Sequence, residues 1–441
     1  MSTDLEDPDT RTADLLRHLV SPVTGVLKRV LLLPVGGGQI PYAHFTAAVP
    51  AYSTLPTGGD IANPGGSAWQ RTRSLTQVTF EAIERYCAGF VEFGQLLLAP
   101  CQGEAFAAGS RHQRFAPHQY GQDGFPYVPL DPDAPIHWAV GRSVLSGQRR
   151  FVPASFVYLP YTPASPAEVI GPSFSTGMAA AWTLDDALLS GLLEVVERDA
   201  FTITWLNRLQ RPKIRVPRSS TLGRRVAAVQ ADGVTSVEFV DITTDIAIPT
   251  VCAVMRRCAF GETVVTVGLA CKLDYSSACD KALCEAISDH ERLVAEMRAP
   301  SEIGTWFPKD DFSDVVDFPW HGRVYAHPRY QAHLQFLTAG EAVLDVDGEF
   351  RPGRAGDLVD VLQAVAPFAS EVIAVDLTTR EFVDLGIHVV KVMIPDLVPL
   401  NADHRFPYVG HRRFVTSGGA YPDRAASDAI AGANPYPHPF S

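Results

Sequence analysis

Apolar residues recur at helical spacing in three stretches of the chain, 73–93, 184–206 and 276–297, which predicts three long helices. Between them the pattern changes to short Val-rich runs bounded by turn residues, at 234–240, 249–255 and 263–269, and these predict strands. Nearer the C-terminus the two periods alternate. Residues 358–365 read as helix, 371–375 as strand, 379–385 as helix and 387–394 as a buried strand, together a βαβ-type unit. The first 65 residues hold an acidic start, a small apolar segment and a Pro- and Gly-rich run over 50–66 that reads as loop, so helices are expected after it. Gly418, Gly419, Gly432 and three late prolines make 417–441 read as an extended tail. The mixture predicts an α/β fold, with mixed β-sheets covered by helices. A plain reading finds no internal repeat beyond one short unit that occurs twice.

With 441 residues, 46% of them hydrophobic, the chain can form one large or two medium domains without disulfide staples. Apolar runs such as 30–35 and 389–395 fall far short of the roughly 20 residues that a membrane-spanning helix needs. The acidic, polar N-terminus does not resemble a secretory signal, so the cytoplasm is the expected compartment. The seven cysteines include no Cys-x-x-Cys pair and are expected to be reduced, mostly buried thiols. A formal net charge of −12, with no concentrated basic patch, argues against nucleic acid and anionic membrane as partners.

The short unit that recurs is Glu81-Ala-Ile-Glu84-Arg85 and Glu194-Val-Val-Glu197-Arg198. On the second helix Asp186, Ser190, Glu194 and Glu197 fall within roughly 80° of one another, on the first Gln77, Glu81, Glu84 and Arg85 group alike, and on the third Lys281, Glu285, Asp289 and Arg292 do so. Carboxylates with neighbouring cations suit Mg²⁺ held by a few oxygen ligands and by nucleotide phosphates, with Arg and Lys on the phosphate oxygens. The chain has no Gly-x-x-x-x-Gly-Lys-[Ser/Thr] loop, since Gly36, Gly37 and Gly38 lack the following lysine. Two plainer explanations stand beside this one. Glu and Arg four apart form ordinary surface ion pairs, and Thr183-Leu-Asp-Asp186 has the form of a helix capping box.

The stretch 175–200, ending in Glu194-Val-Val-Glu197-Arg198-Asp199-Ala200, resembles the signature segment of YcaO-like proteins. Phe80-Glu-Ala-Ile-Glu-Arg-Tyr86 and the stretch 268–292 are similar to two further segments of that family, in the same order, so the likeness spans about 66–395. It implies a YcaO-like ATP-binding fold with an N-terminal segment over 1–65, the core over 66–395 and a C-terminal extension over 396–441. Carried over residue by residue, the resemblance makes Glu81 and Glu84 the first acid pair, Glu194 and Glu197 the second, and Arg198 the phosphate-facing arginine. Asp186 stands where the family usually has Glu and Lys281 where it usually has Arg. Glu285 matches the acid four residues on. Glu81, Glu84, Glu194, Glu197 and Glu285 would hold Mg²⁺, and the whole set ATP. Trp182 departs from a common Asn, and Ser67 stands near a usual Gly-Lys-Gly, whose contact Arg71 or Arg73 would supply.

The resemblance further implies an ATP-dependent cyclodehydratase that forms thiazoline or oxazoline rings at Cys, Ser or Thr of a ribosomally made precursor peptide. Its implied partners are a separate leader-binding protein resembling ubiquitin-activating enzymes, a flavin dehydrogenase and a second copy of the chain. Pro435, Pro437 and Pro439 match a Pro-x-Pro-x-Pro ending whose stiffness delivers the terminal carboxylate, here of Ser441, as general base. Thioamide- or macroamidine-forming chemistry, a non-catalytic scaffold and a two-carboxylate hydrolase are the alternatives.

Overall fold

A computed structural model describes residues 10–33, 42–49, 64–106, 114–298, 305–351, 353–354, 356–416 and 426–440. Among them are helices α1 (Thr10–Leu19), α2 (Arg71–Ala88), α3 (Leu184–Leu206), α4 (Thr221–Val229), α5 (Tyr275–Arg298), α6 (Phe318–Val324), α7 (Asp357–Val365), α8 (Arg380–Val383), α9 (Arg412–Thr416) and α10 (Ala426–Ala431). The long helices and central strands follow the predicted periods to within a few residues, because burial of one face fixes both the period and the element. Residues 50–63 and Gly36–Gly38, read above as loop or motif, lie outside the described residues.

The chain divides into two compact units. The first comprises Met1–His112, Pro126–Leu192 and Ala369–Pro395. It holds an antiparallel sheet of β1 (Arg29–Leu33), β2 (Ala43–Ala48) and β3 (Gly65–Ala68), in that order. A larger sheet has the order β4 (Leu97–Ala99), β5 (Ile136–Ser143), β13 (Ile373–Asp376), β14 (His388–Met393), β7 (Met178–Ala181), with β6 (Arg149–Pro153) also on β5. Val78 and Ile83 of α2 pack with Phe156, Ile373 and Val389 in its core. The expected βαβ unit is corrected here. β13 and β14 pair antiparallel, Ile373 opposite Met393, and the short helix α8 between them cannot span the crossover of a dozen or more residues that parallel strands need. The N-terminal segment also holds more than loop. Helix α1 buries Leu15 and Leu19, and Gly65 and Gly66 belong to strand β3.

The second unit comprises Gln113–Phe125, Leu193–Phe368 and Asp396–Ser441. Its sheet has the order β11 (Glu262–Cys271), β10 (Thr250–Ala259), β9 (Ser236–Asp241), β8 (Lys213–Arg215), β12 (Val343–Asp345), antiparallel except for β8 and β12. Phe201 and Trp205 of α3 pack with Val254, Val267, Tyr325 and Phe414. Asp199, fully buried, accepts from the Val398 amide at 2.9 Å and pairs with Arg413 at 2.6 Å. Arg413 also reaches Asp245 at 2.8 Å. All seven cysteines are free, five of them buried, as expected.

A local repeat that the sequence hides occurs once in each unit. A Cβ at Gly66 of β3 would lie 2.0 Å from the Ser74 carbonyl oxygen and 2.6 Å from the Val78 nitrogen of α2, so only glycine permits that approach. The next residue, Ser67, donates its N–H to Gln77 Oε1 at 2.9 Å. In the second unit a Cβ at Gly268 of β11 would lie 2.0 Å from the Ala282 carbonyl oxygen and 2.6 Å from the Ala286 nitrogen of α5. Leu269 then donates its N–H to Glu285 Oε2 at 3.3 Å. Each strand is thus pressed onto its helix at a glycine, and the following amide grips a side chain one turn further on.

The tail is corrected in part. Residues 417–425 and 441 lie outside the described residues; of the rest, 426–431 are helical and 432–440 run without helix or strand, with Pro437, His438 and Pro439 buried. Trp205 Nε1 donates to the Tyr436 carbonyl at 3.0 Å, Tyr325 Oη to that of Pro437 at 2.5 Å, and His438 Nε2 to that of Asn401 at 2.8 Å. His438 stacks on His321 with ring centroids 3.7 Å apart, and His404 lies beside His321 at 6.2 Å. Burial lowers the pKa of all three histidines, His438 to about 3 and His404 to about 4. Below the unfolded value of about 6.5 the unfolded chain therefore binds protons that the folded chain refuses, so stability falls as pH drops from there towards the folded values. Urea denaturation at pH 5.5 should give a stability lower by about 1 kcal/mol or more than at pH 7.5. Equal stabilities would mean that these histidines are protonated in the fold.

Candidate active site

In the second unit the acidic face of α3 meets the N-terminal half of α5 and the end of β11. Glu197 is 8% exposed and accepts the Cys271 N–H on Oε2 at 3.0 Å. Arg198 Nη2 lies 3.5 Å from Glu194 Oε1 and 3.6 Å from Glu197 Oε1. Lys281 and Glu285 pair at 3.0 Å on α5, and the glycine contact at Gly268 is what lets the Leu269 amide reach Glu285. Burial raises the Glu197 pKa to about 7, the Arg198 cation works against this, and the Glu285 and Glu194 charges add to it. Burial works to lower the pKa values of Arg198 and Lys281, yet the carboxylates beside them carry both upward. The structure thus gathers Glu194, Glu197, Arg198, Lys281 and Glu285, with burial as the main force against ionisation of Glu197.

In the first unit Glu81 accepts the Gly65 N–H on Oε2 at 3.2 Å and faces Arg85 at 3.5 Å. Glu84 lies on the same helix and is half-buried. Asp186 is engaged in the capping arrangement. Its N–H donates to Thr183 Oγ1 at 3.1 Å, and that hydroxyl donates back to Asp186 Oδ2 at 2.6 Å. Of the two departures, Ser67 is taken up structurally, its hydroxyl 3.0 Å from His44 Nδ1. The Trp182 ring packs edge-on against Phe80 and lies 3.9 Å from the Arg11 guanidinium, while its indole N–H is buried without an acceptor. Arg71 and Arg73 are exposed.

Two residues to which the sequence assigns no site role belong with the second unit's cluster. Lys272 follows Cys271 at the end of β11, and its charge acts on Glu197. Burial lowers the Lys272 pKa and Lys281 lowers it further, against the pull of Glu197. Phe440 lays its ring over Arg198, 4.2 Å from Cζ to the centroid. Lys272 lies inside the stretch 268–292, but nothing in its spacing distinguishes it. Phe440 meets Arg198 only through the path of the tail.

These residues fit Mg²⁺ and a nucleotide. Arg198 Nη1 is buried with no hydrogen-bond partner, an N–H left over for an anion, and Glu197 is a buried carboxylate whose ionised form burial and the Glu285 and Glu194 charges disfavour, which a metal cation would relieve. Among the described residues no three carboxylate, imidazole or thiolate groups form a ready metal cage. Such a cage is not needed by a cation that keeps its waters and shares phosphate oxygens. No described helix is long and apolar enough to cross a membrane.

Comparison with known proteins agrees. A family profile described as YcaO cyclodehydratase, ATP- and Mg²⁺-binding, matches residues 65–398. An uncharacterised protein from the tfuA 3′ region of Rhizobium leguminosarum bv. trifolii is 26% identical over 397 residues, covering 84% of this chain and 84% of its own. An uncharacterised protein of Methanothermobacter thermautotrophicus is also 26% identical, over 80% of this chain and 87% of its own. A heterocyclase solved in complex with substrate and cofactor superposes with a TM-score of 0.77 at 20% identity over 98% of this chain, which spans only 57% of that protein. The YcaO of Methanopyrus kandleri bound with AMPPCP and Mg²⁺ gives a TM-score of 0.63 at 20% identity, over 88% of this chain and 90% of that one. A chain of the E. coli microcin synthetase McbBCD complex gives 0.57 at 14% identity, over 83% and 88%.

Proposed function

Because the chain belongs to the YcaO family of ATP-dependent enzymes, with ATP and Mg²⁺ as cofactors, we propose that it is a cyclodehydratase closing thiazoline or oxazoline rings in a ribosomally made peptide. A Cys thiol or a Ser or Thr hydroxyl would give up its proton and add to the preceding backbone carbonyl carbon, and the former amide oxygen would depart as phosphate while the amide nitrogen loses its proton to form the C=N bond. ATP, when bound, would supply the γ-phosphoryl group that makes this oxygen a leaving group, with ADP released. In this reading Glu194, Glu197 and Glu285 take the metal, and Arg198 and Lys281 meet phosphate oxygens. Glu81, Glu84 and Asp186 keep the metal- and nucleotide-binding roles that the family likeness of their segments implies. The work of the protein is then orientation and charge neutralisation, the main terms in phosphoryl transfer.

The observation that carries the ring-forming assignment is the seated tail. Pro435, Pro437 and Pro439 stiffen a segment whose carbonyls are gripped by Trp205 and Tyr325, and it ends with Phe440 against Arg198 of the acidic face. Ser441 lies outside the described residues; the general-base role that the family likeness implies for it stays part of this proposal. A cytoplasmic setting, a homodimer, a separate leader-binding protein and a flavin dehydrogenase acting on the product belong to the same reading, as does the division into 1–65, 66–395 and 396–441. The family profile's description as a cyclodehydratase supports a ring-forming reaction, and chains of similar fold include a heterocyclase in complex with substrate and cofactor and a member of the McbBCD complex.

Appending a few residues after Ser441 tests the tail without unseating it. Mg·ATP binding should persist while ring formation on the precursor, followed by mass spectrometry as the loss of one water per ring, falls at least tenfold, about 1.4 kcal/mol of barrier. Unaltered ring formation would remove the tail from the mechanism. An exchange of oxygen for sulfur in place of water loss would make the enzyme thioamide-forming.

A further inference from the structure

Arg198 is held in an unusual way for an arginine between two glutamates. Its Nη2 stands 3.5 and 3.6 Å from Glu194 and Glu197, longer than the 2.7–2.9 Å usual for a charge-assisted hydrogen bond, and its Nη1 is buried with no hydrogen-bond partner. The guanidinium has therefore not collapsed onto either carboxylate. What lies against it is the ring of Phe440, 4.2 Å from Cζ to centroid. The Phe440 ring is backed by Phe201 of α3, with centroids 6.3 Å apart. The tail that carries it is fixed by the bonds from Trp205, Tyr325 and His438, so the ring has little freedom to leave.

We propose that Phe440 is a positioning residue for Arg198: the ring face holds the guanidinium off Glu194 and Glu197, keeping one N–H edge free for an anionic group, and so couples seating of the tail to binding of Mg·ATP. This rests on the nucleotide reading of the site. An aromatic face attracts a guanidinium through its quadrupole, which an aliphatic side chain of similar volume lacks. Without the ring, Arg198 relaxes onto its carboxylates, and ATP must compete with them for it.

The test titrates Mg·ATP calorimetrically into the full-length wild type, Phe440→Leu, Phe440→Trp and Arg198→Ala, with a urea denaturation curve for each. Phe440→Leu should weaken binding about fivefold with an unchanged urea midpoint, while Phe440→Trp stays within about twofold of wild type. Should Phe440→Leu fail to fold, Phe440→Met makes the same comparison. The proposal is overturned if the aliphatic variant binds as tightly as wild type, if it binds more tightly because the ring competes with nucleotide, or if the tryptophan variant is as weak as the leucine one. When Arg198→Ala loses binding and Phe440→Leu does not, only the coupling falls. A wild type that binds no nucleotide removes the reading of the site and the coupling with it.

Discussion

Glu197→Gln is expected to bind Mg·ATP more than about a hundredfold more weakly than wild type, a loss of about 2.7 kcal/mol or more, with no loss of stability at pH 8. Gln keeps the volume and leaves an oxygen to accept the Cys271 N–H, so the strand end of β11 stays in place. What disappears is the negative charge. Burial and the Glu285 and Glu194 charges raise the Glu197 pKa above its unfolded value, so at pH 8 the ionised group costs folding energy that a neutral amide does not. Binding and stability should therefore move independently or in opposite directions. The same measurement on Glu194→Gln and Arg198→Ala should show comparable loss of binding. Alanine at 197 would be a poorer probe, because that position is buried and its truncation would strand an amide as well as a charge. Unchanged ATP affinity in all three variants would contradict the assignment.

Arg413→Ala should lower stability by about 3–5 kcal/mol, because it leaves the Asp199 carboxylate buried with its charge uncompensated. Asp199 is fully buried, Arg413 meets it at 2.6 Å, and the Val398 amide supplies only one further hydrogen bond. The pair matters to the site because Asp199 follows Arg198 on α3, and Arg413 anchors that stretch of helix from α9. Guanidinium chloride denaturation measures the loss. The double variant Asp199→Asn with Arg413→Met should recover much of it, since both charges are then gone. A loss under about 1 kcal/mol would place the pair among weak, solvent-screened bridges.

The long helices and central strands could be read from the chain because each buries one face: α3 fills 184–206 as expected, and β11 extends the predicted 263–269 by a few residues. Elements stabilised by contact more than by pattern were missed. Strand β3 is Gly-Gly-Ser-Ala, which by composition is loop, and it is a strand because Gly66 can press onto α2. Helix α1 offers little more than two buried leucines to reveal its period. The antiparallel pairing of β13 and β14 is not legible in the sequence, because alternation of helix and strand periods says nothing about strand direction. For the site, spacing alone gave acids and bases on common helix faces, and the resemblance selected among them. Lys272 and Phe440 could not be found that way. One is a single lysine at a strand end, the other a tail residue brought to Arg198 by hydrogen bonds from distant side chains.

Crystals grown with AMPPCP and Mn²⁺ in place of Mg²⁺ test most directly the proposal that the acidic face of α3, with α5 and the end of β11, holds the metal and the nucleotide phosphates, since anomalous scattering locates the manganese independently of the rest of the map. Manganese is expected to be coordinated by carboxylates from the set Glu194, Glu197 and Glu285, with Arg198 on a phosphate oxygen. Manganese and nucleotide bound elsewhere on the chain, with those carboxylates still facing Arg198 and Lys281, would contradict the proposal.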